Sequence, residues 1–163
     1  MDLNFGPEYT KFREEVNDFC EEYSGVLLES SKIPMSDELS SGQIKMKRSD
    51  WQKLLIEKGY FARSIPKKYG GYGGETDIIK NRIIAEEFAK HNTPPPMGGQ
   101  GIDMLVPTLL ELGTEEQKKE YIESTLHGDI IWCQGYSEPN AGSDLASLQT
   151  KAELIDGNWV ING

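Results

Sequence analysis

Residues 132 to 144 read WCQGYSEPNAGSD, a stretch whose residue types suit it to holding a polar ligand. Two hydroxyls, Ser137 and Ser143, lie within seven positions, together with a row of backbone N–H groups. Gly142 allows close approach of the backbone, and Pro139 stiffens the entry. A loop of this kind presents donors, without bulky side chains in the way, to an anion or to the polar edge of a ring. A turn whose serines satisfy its own N–H groups would use the same residues. Residue types alone leave these two readings equal. The stretch is neither GxGxxG nor GxxxxGK[ST], so the two common nucleotide-phosphate mechanisms have no support.

Other residues that could do chemistry have simpler explanations. Glu138 lies inside the loop, where holding the loop's own N–H groups or pairing with a cation suits it better than acid–base work. Asp144 reads as a loop or helix-start cap. His91 and His127 stand near helix ends, where a histidine caps a carbonyl, and two isolated histidines make neither a metal site nor a triad. Cys20 and Cys133 lack CxxC spacing, so no disulfide framework or thiolate metal site is expected, and Cys133 reads as an inward-facing strand residue. Lys67 and Lys68 read as a solvated turn rather than as cations for a bound phosphate. Trp51 and Trp132 read as packing residues, Trp132 being the better placed for a cofactor.

The chain has 163 residues, 27 acids against 17 bases and a formal charge of −10. That length suits one domain with a core, or one domain and part of another. The negative surface argues against general nucleic-acid binding. No signal or transit pattern opens the sequence, and no apolar run approaches the roughly 20 residues of a membrane span, so a cytoplasmic location is expected. GNWVING alternates like a strand and stops on a turn pair, which reads as a cut through a larger protein.

These candidate residues must be positioned by helices first and strands afterwards. From Pro7, apolar residues recur every three or four places through Val26, predicting one amphipathic helix of about five turns. Residues 30 to 48 read as loop. Ser49 and Gln52 have capping-box spacing at the head of a helix that Gly59 ends. The glycines at 70, 71, 73 and 74 demand unusual angles or close approach. A helix follows, with Ile79, Ile83 and Phe88 inward and Ile78, Ile84 and Ala85 widening its apolar face. Three successive prolines break it. GIDMLVPTLLEL reads as a buried helix kinked or opened by Pro107, and Thr114 with Gln117 caps the next one. Beyond Gly128 the pattern turns to strands: DIIWCQG, then LQTKAELI, then GNWVING through an Asp156-Gly157 hairpin turn. The predicted organisation is therefore mainly α, with a helical domain over residues 1–128 and the first strands of a β domain over 129–163.

YSEPNAGSD resembles the signature of the acyl-CoA dehydrogenase family, in which a hydroxyl residue precedes Glu-Pro, a small residue and Ala-Gly-Ser-Asp. IPKKYGGYGG, IIAEEFAK, LLELGTEEQKKEYI and GNWVING add resemblances in the family's order, so nearly the whole chain is covered. The resemblance implies an N-terminal helical domain followed by the start of a middle β-barrel domain, with FAD as cofactor. It implies α,β-dehydrogenation of an acyl-CoA thioester, with electrons passing to an electron-transfer flavoprotein. Gln134, Tyr136 and Ser137 would approach the flavin ring, while Gly142 and Ser143 would meet the pyrophosphate neighbourhood and Ser143 also the substrate's thioester end. The catalytic base is expected beyond residue 163, so no acid here takes that role and the 163 residues alone should not turn over substrate. Gln134, Tyr136 and Asn140 depart from the commoner residues of the family, and WCQGYSEP looks closer to branches handling bulky or ring-bearing acyl groups. An acyl-CoA oxidase or related flavoenzyme, and a non-catalytic helical partner subunit of the same fold, are the alternatives. A homodimer, a homotetramer and a mixed complex all stay open, and no metal is expected.

Overall fold

A computed structural model describes residues 6–29 and 43–163. Most of the loop expected over residues 30 to 48 falls outside them. The chain divides into two compact units, one ending at Trp132 and the other spanning Cys133–Gly163.

The first unit is built on five helices among the described residues. Helix α1, Pro7–Glu22, starts on Pro7, whose missing N–H is one that a helix start leaves unpaired anyway. It buries Val16, Phe19 and Cys20. The predicted fifth turn is absent, because Val26 belongs instead to a short strand, β1 (Val26–Leu28), paired in parallel with β2 (Ile44–Met46). Pattern analysis missed both strands, which at three residues each are too short to show a period.

Helix α2, Arg48–Glu57, carries Trp51, Gln52, Leu55 and Ile56 into the core. Gly59 follows its end at φ +73°, the left-handed angle that glycine adopts without strain. Ser49 and Gln52 do not form the expected capping box: Lys47 precedes the helix, no side chain caps it, and Gln52 is fully buried. Loop 59–74 then folds on itself, with Tyr72 N–H bonded to Ala62 O and Gly73 N–H to Ile65 O. Gly70 and Gly73 have φ of +81° and +73°, and a Cβ on Gly71 would collide with Ile65 O. The glycine run thus has an internal structural cause.

Helix α3, Ile78–Lys90, is capped by Asp77 and packs across α1. Ile83, Ile84 and Phe88 are buried, whereas Ile78 and Ala85, assigned inward from sequence, are exposed. Phe19 stacks between Trp51 and Phe88, with ring centroids 5.7 and 6.1 Å away. Beyond the prolines a π-helical turn, Gly101–Leu105, leads into α4, Val106–Leu112. The expectation of a buried helix fails here, since only Gly101 and Val106 are buried and Leu112 is 78% exposed. Pro107 sits in the first turn of α4, the second of the two placements its sequence allowed. Helix α5, Glu115–His127, opens with the predicted Thr114–Gln117 capping box and buries Ile122, Thr125 and Leu126.

In the second unit, β3 (Lys151–Ile155) and β4 (Asn158–Asn162) pair antiparallel with Ile155 opposite Asn158. Asp156 and Gly157 turn the chain at φ +49° and +79°, both left-handed, as a two-residue hairpin with the right twist requires. DIIWCQG forms no strand, because no ladder partner stands beside it among the described residues.

Candidate functional site

The loop over residues 132–144 turns at Pro139-Asn140. Glu138 N–H bonds to Ala141 O at 3.0 Å, and Ala141 N–H returns to Glu138 O at 3.1 Å. Proline in the first central position fixes the φ that such a turn needs. Ala141 beneath it is 1% exposed. The Glu138 carboxylate accepts from Gln149 N–H at 3.0 Å, from Thr150 N–H at 2.7 Å and from the Thr150 hydroxyl. These bonds, the Thr150 hydroxyl's first, hold its carboxyl below the ordinary carboxylate range. Glu138 therefore fastens the loop to the chain entering β3. It is not free for acid–base work.

Ser137 and Gly142 flank the paired residues, with Ser143 next in line. Gln134, Tyr136, Ser137, Gly142 and Ser143 are all exposed. Among the described residues no partner takes the Ser137 or Ser143 hydroxyl, which removes the self-satisfied turn as their explanation. No residue from 133 to 144 has positive φ. A Cβ placed on Gly135 or Gly142 would meet nothing within 4 Å. Neither backbone angle nor internal packing demands glycine at these two positions. What the chain leaves there is a donor-bearing surface that another molecule's atoms can approach closely.

Two further expectations need correction. Cys133 is exposed rather than packed inward. Asp144 precedes a short 3₁₀ turn but caps nothing with its side chain; the Ser147 hydroxyl bonds to the Asp144 backbone oxygen at 2.8 Å.

In the first unit, an open cavity of about 280 Å³ is lined by Met97, Gly98–Ile102, Thr125 and Ile130–Trp132. Trp132 is fixed there by chemistry: its indole N–H donates to Thr125 Oγ1 at 2.9 Å, that hydroxyl donates to Tyr121 O at 2.6 Å, and the Tyr121 ring meets the indole edge-on. Gly101 must be glycine, since a Cβ would lie 2.5 Å from Trp132 Cδ1 and 2.8 Å from Thr125 Cγ2. A π-helical turn, a geometry frequent at functional sites, carries this glycine. Asp103 accepts Gly99 N–H at 2.7 Å and steadies the exposed Gly98–Gln100 segment.

Trp51 and Gln52 also reach this segment, from α2. Trp51 Nε1–H donates to Pro94 O at 3.0 Å. Gln52 accepts Met97 N–H at 2.9 Å and donates to Leu126 O at 3.1 Å. Sequence reading gave Gln52 a capping role, and the overlooked signal was PPP: three residues without N–H groups must be held from outside.

A larger groove, about 590 Å³, lies along α3 between Tyr60, Phe88 and Pro94–Pro96. It has shape but no acid or base, and burial raises the Tyr60 hydroxyl to about 12. Lys68 lies 3.4 Å from Glu115, so its charge is met within the chain. His91 Nε2 lies 3.0 Å from Asn17 Oδ1. Among the described residues no cluster of His, Cys, Asp and Glu could hold a metal ion, and no helix is long and apolar enough to cross a membrane.

Residues 6–129 match the family model described as acyl-CoA dehydrogenase, N-terminal domain. The acyl-CoA dehydrogenase IpdE1 of Mycolicibacterium smegmatis is 40% identical over 126 residues, which is 71% of this chain and 32% of that protein. The chain thus spans about a third of the length of that relative. Among solved structures, the ChsE4-ChsE5 complex from Mycobacterium tuberculosis is similar over 100% of this chain and 39% of its own, with a TM-score of 0.60 and 30% identity. A structure titled Tcur3481-Tcur3483 steroid ACAD is similar over 100% of this chain and 40% of its own, with a TM-score of 0.58 and 30% identity.

Proposed function

The chain belongs to the acyl-CoA dehydrogenase family, and from that premise we propose that it is the N-terminal part of an FAD-dependent enzyme converting an acyl-CoA thioester to the 2-enoyl-CoA. One observation carries the reading: among the described residues Ser137 and Ser143 hold unengaged hydroxyls, and nothing there requires the glycine at Gly142. These residues fit FAD. The ring edge is polar and accepts hydrogen bonds, the pyrophosphate needs donors, and both need backbone without a Cβ in the way.

In this reading Gln134, Tyr136 and Ser137 meet the ring, with the Ser137 hydroxyl donating to its polar edge. Gly142 gives close backbone approach, and Ser143 donates toward the pyrophosphate and the thioester end. When bound, FAD supplies the acceptor for the hydride leaving the substrate's β-carbon. The chain's own contribution is orientation and preformed donors where negative charge accumulates, the logic of an oxyanion hole. The carboxylate that removes the α-proton is assigned outside these 163 residues. Glu138, occupied by Gln149 and Thr150, is no candidate.

The cavity beside Trp132 is proposed to take the acyl group. Gly98 and Gly99 add no side chain to its lining, and a similar structure is titled a steroid ACAD, so a bulky, ring-bearing acyl group is the favoured substrate class. The similarity to the ChsE4-ChsE5 complex supports assembly with a second, different chain. An electron-transfer flavoprotein is proposed as electron acceptor.

The test is the full-length protein with a panel of straight-chain, branched and polycyclic acyl-CoA thioesters, following flavin bleaching anaerobically. Bleaching by the polycyclic thioesters is expected, and Ser137→Ala should slow it about tenfold, as loss of one charge-facing donor worth ~1.4 kcal/mol implies. A folded full-length protein that takes up no flavin, or that no thioester bleaches, would end this reading.

A further inference from the structure

We infer that Gln52, with Trp51 beside it, is a positioning residue that sets the acyl-facing wall of the cavity and thereby the enzyme's preference for bulky acyl groups. The inference rests on the function proposed above. Its structural basis does not.

The wall runs from Met97 to Gly101; Asp103 holds its far end through Gly99, and the end that follows the prolines takes its partners from outside the segment. Pro94, Pro95 and Pro96 have no N–H groups, so no ladder can form through them. Gly98, Gly99 and Gln100 are exposed, and a Cβ on Gly99 would touch nothing within 4 Å. Such a segment lies wherever its ends are held. Trp51 and Gln52, adjacent on α2, hold one end: the indole N–H takes the Pro94 carbonyl, and the Gln52 carbonyl takes the first N–H after the prolines, that of Met97. Gln52's amide N–H binds Leu126 O in the last turn of α5, one residue from the Thr125 that anchors Trp132. One fully buried side chain therefore ties the strap and the Trp132 anchor to the same helix. Both faces of the cavity take their spacing from it.

Gln52 donates and accepts at once at any pH, whereas the glutamate of similar shape loses its donor on ionising. Methionine keeps its length and volume but makes neither bond. Glutamate keeps the acceptor for Met97 but in its charged form turns a second oxygen on the Leu126 carbonyl. A short acyl group does not reach along the strap, whereas a bulky one lies against it. Loss of the clamp should therefore separate the two substrates.

The experiment uses full-length holoenzyme carrying Q52M and, separately, Q52E, with FAD content and Tm recorded for each. Steady-state kcat and KM are compared for one short straight-chain thioester and one polycyclic thioester. The expected result is a KM raised about tenfold for the polycyclic thioester, with its kcat and the short thioester's KM within about twofold of wild type. Q52E preserves the side chain's shape and supplies the result if Q52M does not fold. Equal KM changes for both substrates, or a lowered Tm with neither KM changed, would overturn the inference and leave the proposed function standing. A wild-type protein that no thioester bleaches is the separate failure of that function.

Discussion

Glu87 has only 5% of its side chain exposed and still keeps its charge, because Arg13 lies 2.7 Å away and Lys90 3.1 Å away. Burial pushes its carboxyl up, but the bonds from Arg13 and Lys90 outweigh burial and hold it below the ordinary value of 4.5. A carboxyl depressed on folding contributes stability that is complete above its unfolded pKa and lost as pH falls through the lower folded one. Arg13→Met should cost about 2–3 kcal/mol at pH 7, short of a fully buried pair because Arg13 is 38% exposed. The variant's loss of stability on acidification below pH 4.5 should also become shallower than wild type's; urea titrations across pH measure both. Glu138 was expected to hold the loop's own N–H groups or a cation and instead takes those of Gln149 and Thr150, 11 and 12 residues on; Gln52 was misread because its partners lie 45 and 74 residues away.

Elements were legible where their signals are local. The Thr114–Gln117 box and the Asp156-Gly157 hairpin each depend on a few neighbouring residues, and both formed as expected. DIIWCQG did not become a strand, since a strand exists only with a partner and apolar composition cannot supply one. The π-helical turn at Gly101–Leu105 had no sequence signal, yet its glycine carries a sharp prediction. Gly101→Val would drive a side chain into Trp132 and Thr125, destabilising the chain by about 2–3 kcal/mol. The displaced indole would lose its bond to Thr125, so a red shift in tryptophan emission should accompany the loss. Equal stability and unchanged emission would show that the contact yields freely.

Among the described residues, the first unit holds two hydrophobic clusters, one around Phe19, Trp51 and Phe88 and one around Val106, Ile122 and Leu126. The second has a hairpin exposed on both faces, with Leu154 opposite Trp159 and Ala152 opposite Ile161 forming one apolar side. A lone two-stranded hairpin is marginally stable in water. Hydrogen exchange on the 163-residue chain should find protected amides in α1, α3 and α5 and rapid exchange in β3 and β4. Comparable protection in both would show that something covers the hairpin.

The sequence by itself determined the helical order, the Thr114–Gln117 cap and the hairpin turn, because each follows from neighbours a few bonds apart. Tertiary structure alone decided what Gln52, Trp51 and Gly101 do. Their partners come from distant segments, and a buried polar group or a missing Cβ takes its meaning only from whatever the fold places against it.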